Sequence, residues 1–181
     1  MNIIAILGSP HVNGNTAALM ESYLDGARKN GAFVERIDLH NIKVAPCIGC
    51  NNCKKDNVQC TCVLEDDMAN LYPKISATDV LVLASPMYWW GITAQLKAFV
   101  DRLYALPFAV YSNKKLVMIM TCGASLNEDG REWVDGALRE ACEFIKMDYL
   151  GIIMASSGYG PVADNKAALD EAFKKGAALR I

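Results

Sequence analysis

A parallel α/β sheet with helices on both faces is the fold this sequence predicts, as a single domain spanning residues 1–181. Three observations predict it. Short apolar runs such as Ile3-Ile4-Ala5-Ile6-Leu7 are too brief for helices and suit strands buried on both sides. Stretches of helical period separate these runs, so strand and helix alternate five times over. Clusters of turn formers follow the strands at their carboxyl ends, where ligands bind in such sheets.

The first strand, Ile3 to Leu7, runs into Gly8-Ser9-Pro10-His11-Val12-Asn13-Gly14-Asn15-Thr16, a segment of turn formers and locally hydrogen-bonding side chains. Ala17, Ala18, Leu19, Met20, Tyr23, Leu24 and Ala27 mark the apolar stripe of the helix that follows, which Gly31 stops. Ala32 to Leu39 alternates in polarity like an edge strand. Asn41 to Leu64 has no sustained period, and loops above about 12–15 residues are uncommon in compact domains unless they have a task. Glu65-Asp66-Asp67-Met68 opens a helix to about Ala77 with acids in its first turn, and Pro73 is expected to kink or split it. Asp79 to Ala84 is the third strand, and Ser85-Pro86-Met87-Tyr88-Trp89-Trp90-Gly91 is its exit loop. Thr93 to Leu106 carries Leu96, Phe99, Val100 and Leu103 on one helical face. Lys115 to Met120 is the fourth strand, with Thr121-Cys122-Gly123-Ala124-Ser125 leaving it. A helix from about Gly130 to Lys146, a strand from Tyr149 to Ala155 and a helix from Ala163 to Leu179 complete the chain.

Composition narrows the function. With 52% hydrophobic residues and a net charge of −2, the chain is neither disordered nor built for nucleic acid. No apolar run approaches the ~20 residues of a membrane span. A short strand and a polar loop follow Met1 where a signal peptide would need an apolar region, so a cytoplasmic location is expected. Seven cysteines in such a protein point to metal or redox chemistry before structural disulfides.

The loop from Gly8 to Thr16 aims backbone N–H groups at one point, which favours an anion. It lacks the Gly-Lys-Ser/Thr ending of a nucleoside-triphosphate loop and the third glycine of the dinucleotide fingerprint. Hydroxyls (Ser9, Thr16), an amide (Asn15) and backbone remain, a neutral cradle suited to a phosphate monoester such as that of FMN. The bland alternative is an ordinary strand-turn-helix capped by Asn15 or Thr16. In the loop from Ser85 to Gly91, Pro86 and Gly91 would let backbone approach a flavin edge, and Tyr88, Trp89 or Trp90 would flank the ring. Core or subunit-contact roles compete with that reading, most of all for Trp90. His11 and His40 receive no role, Lys54 and Lys55 read as a solvated loop face, and Cys122 and Cys142 as small hydrophobes.

Gly8-Ser9-Pro10 with Gly14-Asn15-Thr16, the 85–91 loop, and Gln95-Leu96-Lys97-Ala98-Phe99-Val100-Asp101-Arg102 resemble the NADPH-dependent FMN reductase family. Pro46-Cys47-Ile48-Gly49-Cys50-Asn51-Asn52-Cys53, with Cys62 and Asp66-Asp67-Met68, is similar to its iron–sulfur flavoprotein branch. The resemblance runs from Met1 to about Ser125. It implies a flavodoxin-like three-layer sandwich, a five-stranded parallel sheet of order 2-1-3-4-5, non-covalent FMN, NAD(P)H as co-substrate, and a homodimer or homotetramer. Carried over by position, Ser9, Asn15 and Thr16 would hold the phosphate. Pro86, Met87, Tyr88, Trp89 and Gly91 would line the isoalloxazine, and Thr121, Cys122 and Gly123 the ribityl or pyrimidine side. Pro73 and the additional Cys60 depart from the family pattern.

Cys47, Cys50 and Cys53 form C-x2-C-x2-C, which directs three thiolates at a common centre, and Cys60 or Cys62 can close the site. A [4Fe–4S] cluster, zinc, and unligated thiols all stay open. Leaving the second strand, this loop would place a cluster on the flavin's edge of the sheet. A cysteine-phosphatase reading fails, because the residue six positions after Cys47, Cys50 or Cys122 is Cys53, Asp56 or Glu128, never arginine. The leading function is an oxidoreductase that passes electrons from NAD(P)H through flavin to an acceptor, with no side-chain acid or base nominated. An electron carrier of flavodoxin type and a redox sensor without turnover are the alternatives.

Overall fold

In a computed structural model that describes residues 1–55, 62–126 and 130–180, each strand runs parallel to its neighbours. The strands are β1 (Asn2–Leu7), β2 (Phe33–Asp38), β3 (Val80–Pro86), β4 (Lys115–Cys122) and β5 (Asp148–Ser156), ordered β2-β1-β3-β4-β5. The helices are α1 (Asn15–Lys29), α2 (Met68–Ala77), α3 (Ala94–Arg102), α4 (Arg131–Ile145) and α5 (Lys166–Ala177). This is the strand order that the family resemblance implies, and β2 is an edge strand as its alternation predicts.

Period two along the central strands builds two separate cores. Ile3, Ala5 and Leu7 of β1, with Val80, Val82 and Ala84 of β3, pack under Leu19, Met20 and Leu24 of α1 and Ala172 of α5. Ile4, Ile6, Leu81 and Leu83 point the other way, against Leu71 and Ile75 of α2 and Leu96 and Phe99 of α3. Both faces are covered, which is why these strands read as unbroken apolar runs. Where α1 meets α5, Gly26 lies against the Phe173 carbonyl and Gly176 against the Tyr23 carbonyl. A Cβ at either glycine would overlap backbone oxygen.

Pro73 does not split its helix. α2 runs through it from Met68 to Ala77. Pro73 and Ala69, whose carbonyl loses its helical partner, both lie on the exposed face, where water can satisfy the orphaned oxygen. The helix also starts later than its acids suggest. Asp66 stays outside it and accepts a hydrogen bond from the Met68 backbone N–H (3.1 Å). Thr93 caps α3 by accepting from Leu96 N, and Asn165 caps α5 by accepting from Ala168 N (3.1 Å).

The register aligns the strand exits. Leu7 pairs with Ala84, Pro86 with Thr121, and Cys122 with Ser156, so four exit loops emerge along one edge. Strand order reverses between β1 and β3, which makes that edge the place for a ligand. Among the described residues no helix is long and apolar enough to cross a membrane.

Candidate functional site

The root of the 8–16 loop is clamped by its neighbours. Gly8 N donates to Ala84 O (2.7 Å), and the Thr93 hydroxyl at the start of α3 donates to Gly8 O (2.7 Å). The Ser9 hydroxyl accepts from His11 N (3.1 Å), and Gly14 N donates to His11 O (2.9 Å), which folds the loop back on itself. Gly14 then caps α1 without a side-chain hydrogen bond, and no acid stands in the first turn. The helix therefore offers its first N–H groups and the positive end of its dipole to an anion.

This loop floors an open cleft of about 480 Å³, within the range of small-ligand sites. Ser9, Asn15 and Thr16 line it, together with Pro86, Met87 and Tyr88 after β3 and Thr121, Cys122 and Gly123 after β4. No lysine or arginine is among the described lining residues, so an anion here is met by neutral donors and the helix dipole. Asn15 commits its side-chain oxygen to Val162 N (2.9 Å), which leaves its amide N–H groups for a ligand. Thr16 and Thr121 share a buried hydroxyl–hydroxyl bond.

Trp89 and Gly91 do not line the cleft. Tyr88 and Gly91 exchange two backbone hydrogen bonds of 3.0 Å, which closes a tight hairpin with Trp89 and Trp90 as its central pair. Both tryptophans have left-handed backbone, φ 50° and 59°, a conformation that costs a side-chain-bearing residue roughly 1–2 kcal/mol. Trp90 packs on Gly130, while Trp89 is 92% exposed at the tip. Such strain collects at working sites, here at the rim of the cleft.

His11, Asn13, Ser157 and Pro161 also line the cleft, and sequence reasoning missed them. The signal was available for Ser157. Ser156-Ser157-Gly158 follows β5 at its carboxyl end, the same position that identified the other loops.

A second chamber, of about 30 Å³, is lined by Cys47, Cys50, Cys53 and Cys62 together with Asp101, Arg102 and Tyr104. Cys60 lies outside the described residues. The four described cysteines of the chamber are free thiols. Burial pushes the Cys53 thiol up, against the pull of the Lys54 charge. Lys54 is exposed on its loop, as expected, and also makes contacts: its ammonium lies 4.5 and 4.6 Å from the Tyr104 and Phe108 ring centroids and donates to Leu106 O (3.0 Å). Among the described residues no three His, Cys, Asp or Glu side chains close on one metal ion, so the thiols line a wall rather than grip a point. A four-thiol wall with no competing nitrogen ligand fits a group with several separate attachment points, as an iron–sulfur cluster has.

The chamber is not on the cleft's edge of the sheet. It sits at the far end of α3, whose first turn touches Gly8 and whose last residue is Arg102. Nine helical residues at a rise of ~1.5 Å put roughly 14 Å between those ends. The loop leaves β2 at the expected edge and then descends along the α2 and α3 face.

Ala45, before Pro46, and Asp66 form the chamber's neck. Ala45 N donates to Asp66 Oδ2 (2.8 Å), and Arg102 donates to both Asp66 oxygens (2.6 and 3.0 Å) and to Ala45 O (2.9 Å). The ion pair is buried, with side-chain exposures of 1% and 2%. Burial raises the Asp66 carboxyl, but hydrogen bonds from Arg102, Ala45 and Met68 and the guanidinium charge outweigh it and hold the group below its ordinary range.

Residues 1–160 match the family described as NADPH-dependent FMN reductase. An iron–sulfur flavoprotein of Methanocaldococcus jannaschii is 35% identical over 127 residues, 70% of this chain and 64% of that protein, so the chain spans less than two thirds of that relative. An iron–sulfur flavoprotein of Methanosarcina thermophila is 29% identical over 171 residues, 94% of this chain and 86% of the relative. Among solved structures, an NAD(P)H:quinone oxidoreductase from Methanothermobacter marburgensis superposes with a TM-score of 0.76 at 17% identity, covering 100% of this chain and 96% of that one, a likeness of fold.

Proposed function

The chain belongs to the NADPH-dependent FMN reductase family, and from that premise we propose that it is an oxidoreductase that holds FMN in the 480 Å³ cleft and moves electrons from NAD(P)H to an acceptor. The convergence of four sheet-edge loops on one cleft, with no lysine or arginine among its described lining residues, carries the reading. Ser9, Asn15, Thr16 and the first N–H groups of α1 would hold the phosphate by neutral hydrogen bonds. Thr121, Cys122 and Gly123 would flank the ribityl or pyrimidine side, and Pro86, Met87 and Tyr88 the ring. Bound FMN supplies hydride acceptance and single-electron release; the chain supplies position, polarity and access. No side chain is assigned as acid or base.

The second part of the proposal is that Cys47, Cys50, Cys53 and Cys62 hold an iron–sulfur cluster, with Cys60 as the competing fourth ligand. Four described thiols on one chamber wall and the names of the curated relatives support it. The test is anaerobic purification, FMN and iron assays, and oxidation of NADH and NADPH with an artificial acceptor. FMN bound near one per chain with NAD(P)H oxidation supports the reading. Bound FMN without NAD(P)H oxidation would leave a flavodoxin-type electron carrier.

A further inference from the structure

We infer that Arg102 is the positioning residue of the cysteine chamber, with its Nε–H donating a hydrogen bond to a sulfur of the cluster held there. The inference rests on the iron–sulfur reading of the chamber.

The observation behind it is an orphan. Among the described residues, Arg102 Nε is the buried side-chain nitrogen or oxygen without a hydrogen-bond partner. The terminal nitrogens of the same guanidinium are engaged: one donates to Ala45 O and Asp66 Oδ2, the other to Asp66 Oδ1. A side chain held this firmly cannot turn its unpaired N–H toward water, and a buried donor on a charged group is costly to leave unmet. The residue lines the chamber beside all four described cysteines of the loop. The Tyr72 hydroxyl acts on the guanidinium first and the Cys62 thiol after it, and Tyr72 is close to Cys62 as well.

The other side-chain donors of the described lining, the Asn51 amide and the Tyr104 hydroxyl, are neutral. Asp101 is an acceptor, already paired with Lys97, and Lys54 is turned away over the Tyr104 and Phe108 rings. Arg102 is thus the cation of the described chamber wall. Sulfur carrying negative charge is the acceptor that suits it. A hydrogen bond and a positive charge at cluster sulfur favour the reduced, more negative state and raise the reduction potential. The rival occupant is a single water, for which about 30 Å³ is room enough.

The experiment uses the full chain, reconstituted anaerobically with iron and sulfide and loaded with FMN. Iron per chain and the cluster midpoint potential are measured for wild type, Arg102→Lys and Asp66→Asn. Arg102→Lys should lower the potential by at least tenfold in the reduction constant, ~59 mV for one electron. Asp66→Asn, which loosens the neck but keeps the Nε–H and removes a negative charge, should not lower it. A purely structural neck would move both variants the same way. Wild type labelled with 15N-arginine supplies a readout that needs no variant: the reduced cluster should show hyperfine coupling to a guanidinium 15N. Iron absent from wild type would overturn the chamber reading, and the inference with it. Iron present with no 15N coupling, or with an unchanged potential in a folded Arg102→Lys, would overturn the inference alone and leave a water in the chamber.

Discussion

Thr16 and Thr121 meet hydroxyl to hydroxyl, their oxygens 2.6 Å apart and buried, across a sequence separation of 105. The contact bolts the first turn of α1 to the end of β4 and orients the Thr16 hydroxyl at the floor of the cleft. If Thr121 donates, the Thr16 proton is free for a phosphate oxygen. Ser9→Ala with Thr16→Ala removes two donors to a charged acceptor, each worth ~1.5–3 kcal/mol. FMN affinity, read by flavin fluorescence titration, should fall at least tenfold. Thr121→Val should weaken binding less, because it disorients one donor rather than deleting two.

The α1–α5 crossing leaves no room for a methyl group. Gly176→Ala would drive a Cβ into the Tyr23 carbonyl, and Gly26→Ala into that of Phe173. Overpacking of this kind costs ~1–3 kcal/mol. Urea unfolding of apo protein should show that loss in either variant, whereas Gly136→Ala, where a Cβ meets nothing within 4 Å, should unfold like wild type or later.

The Asp66 carboxyl is depressed in the folded chain, so its contribution to stability is complete above the ordinary carboxylate value of 3.8 and is lost as pH falls through the lower folded value. At neutral pH, Asp66→Asn should cost about 3–5 kcal/mol, because it leaves Arg102 buried and uncompensated. The gap between wild type and variant in urea midpoint should be steady from pH 7 to 5 and narrow below 3.8. A gap that widens on acidification would contradict the assignment.

Iron and sulfide analysis under anaerobic conditions tests the thiol wall directly. Cys50→Ala should retain FMN and lose most of the iron, whereas Cys142→Ala, which alters a buried thiol of α4 in the core, should keep both.

Self-association is expected through the aromatic hairpin. A tryptophan as exposed as Trp89 is a strong interface anchor. Light scattering should report a dimer or larger species at micromolar concentration, and Trp89→Ser should weaken it by tenfold or more. A monomer with FMN bound would remove the idea.

Much of this architecture was legible in apolar runs and turn residues, because burial on both faces writes itself into strands such as Ile3–Leu7. Three of the cleft's loops were legible for the same reason: each follows such a run. Pro73 was misleading, since residue type does not reveal that the orphaned carbonyl faces water. The Trp89-Trp90 turn was hidden because that conformation usually uses asparagine and glycine. Arg102 stood inside a quoted motif without a role, because its partner Asp66 lies 36 positions upstream. The descent of the cysteine segment along α3 depends on that same pairing, which no local pattern encodes.

The neck has one more consequence. Lys43 and Asp67 bond each other twice, N–H to carboxylate at 2.7 Å and N–H to carbonyl at 3.1 Å, just outside the Ala45–Asp66 contact. The described chain thus enters and leaves the chamber segment at almost the same point, between β2 and α2. Closing a flexible loop costs only slowly more as it lengthens. A change of length between the two ends is therefore expected to leave β2, α2 and the cleft in place so long as the contacts of Cys53, Lys54 and Cys62 with the α3 side are kept. If the segment holds the proposed cluster, exchanging that one contiguous stretch of sequence would change the electron port while the cleft is kept.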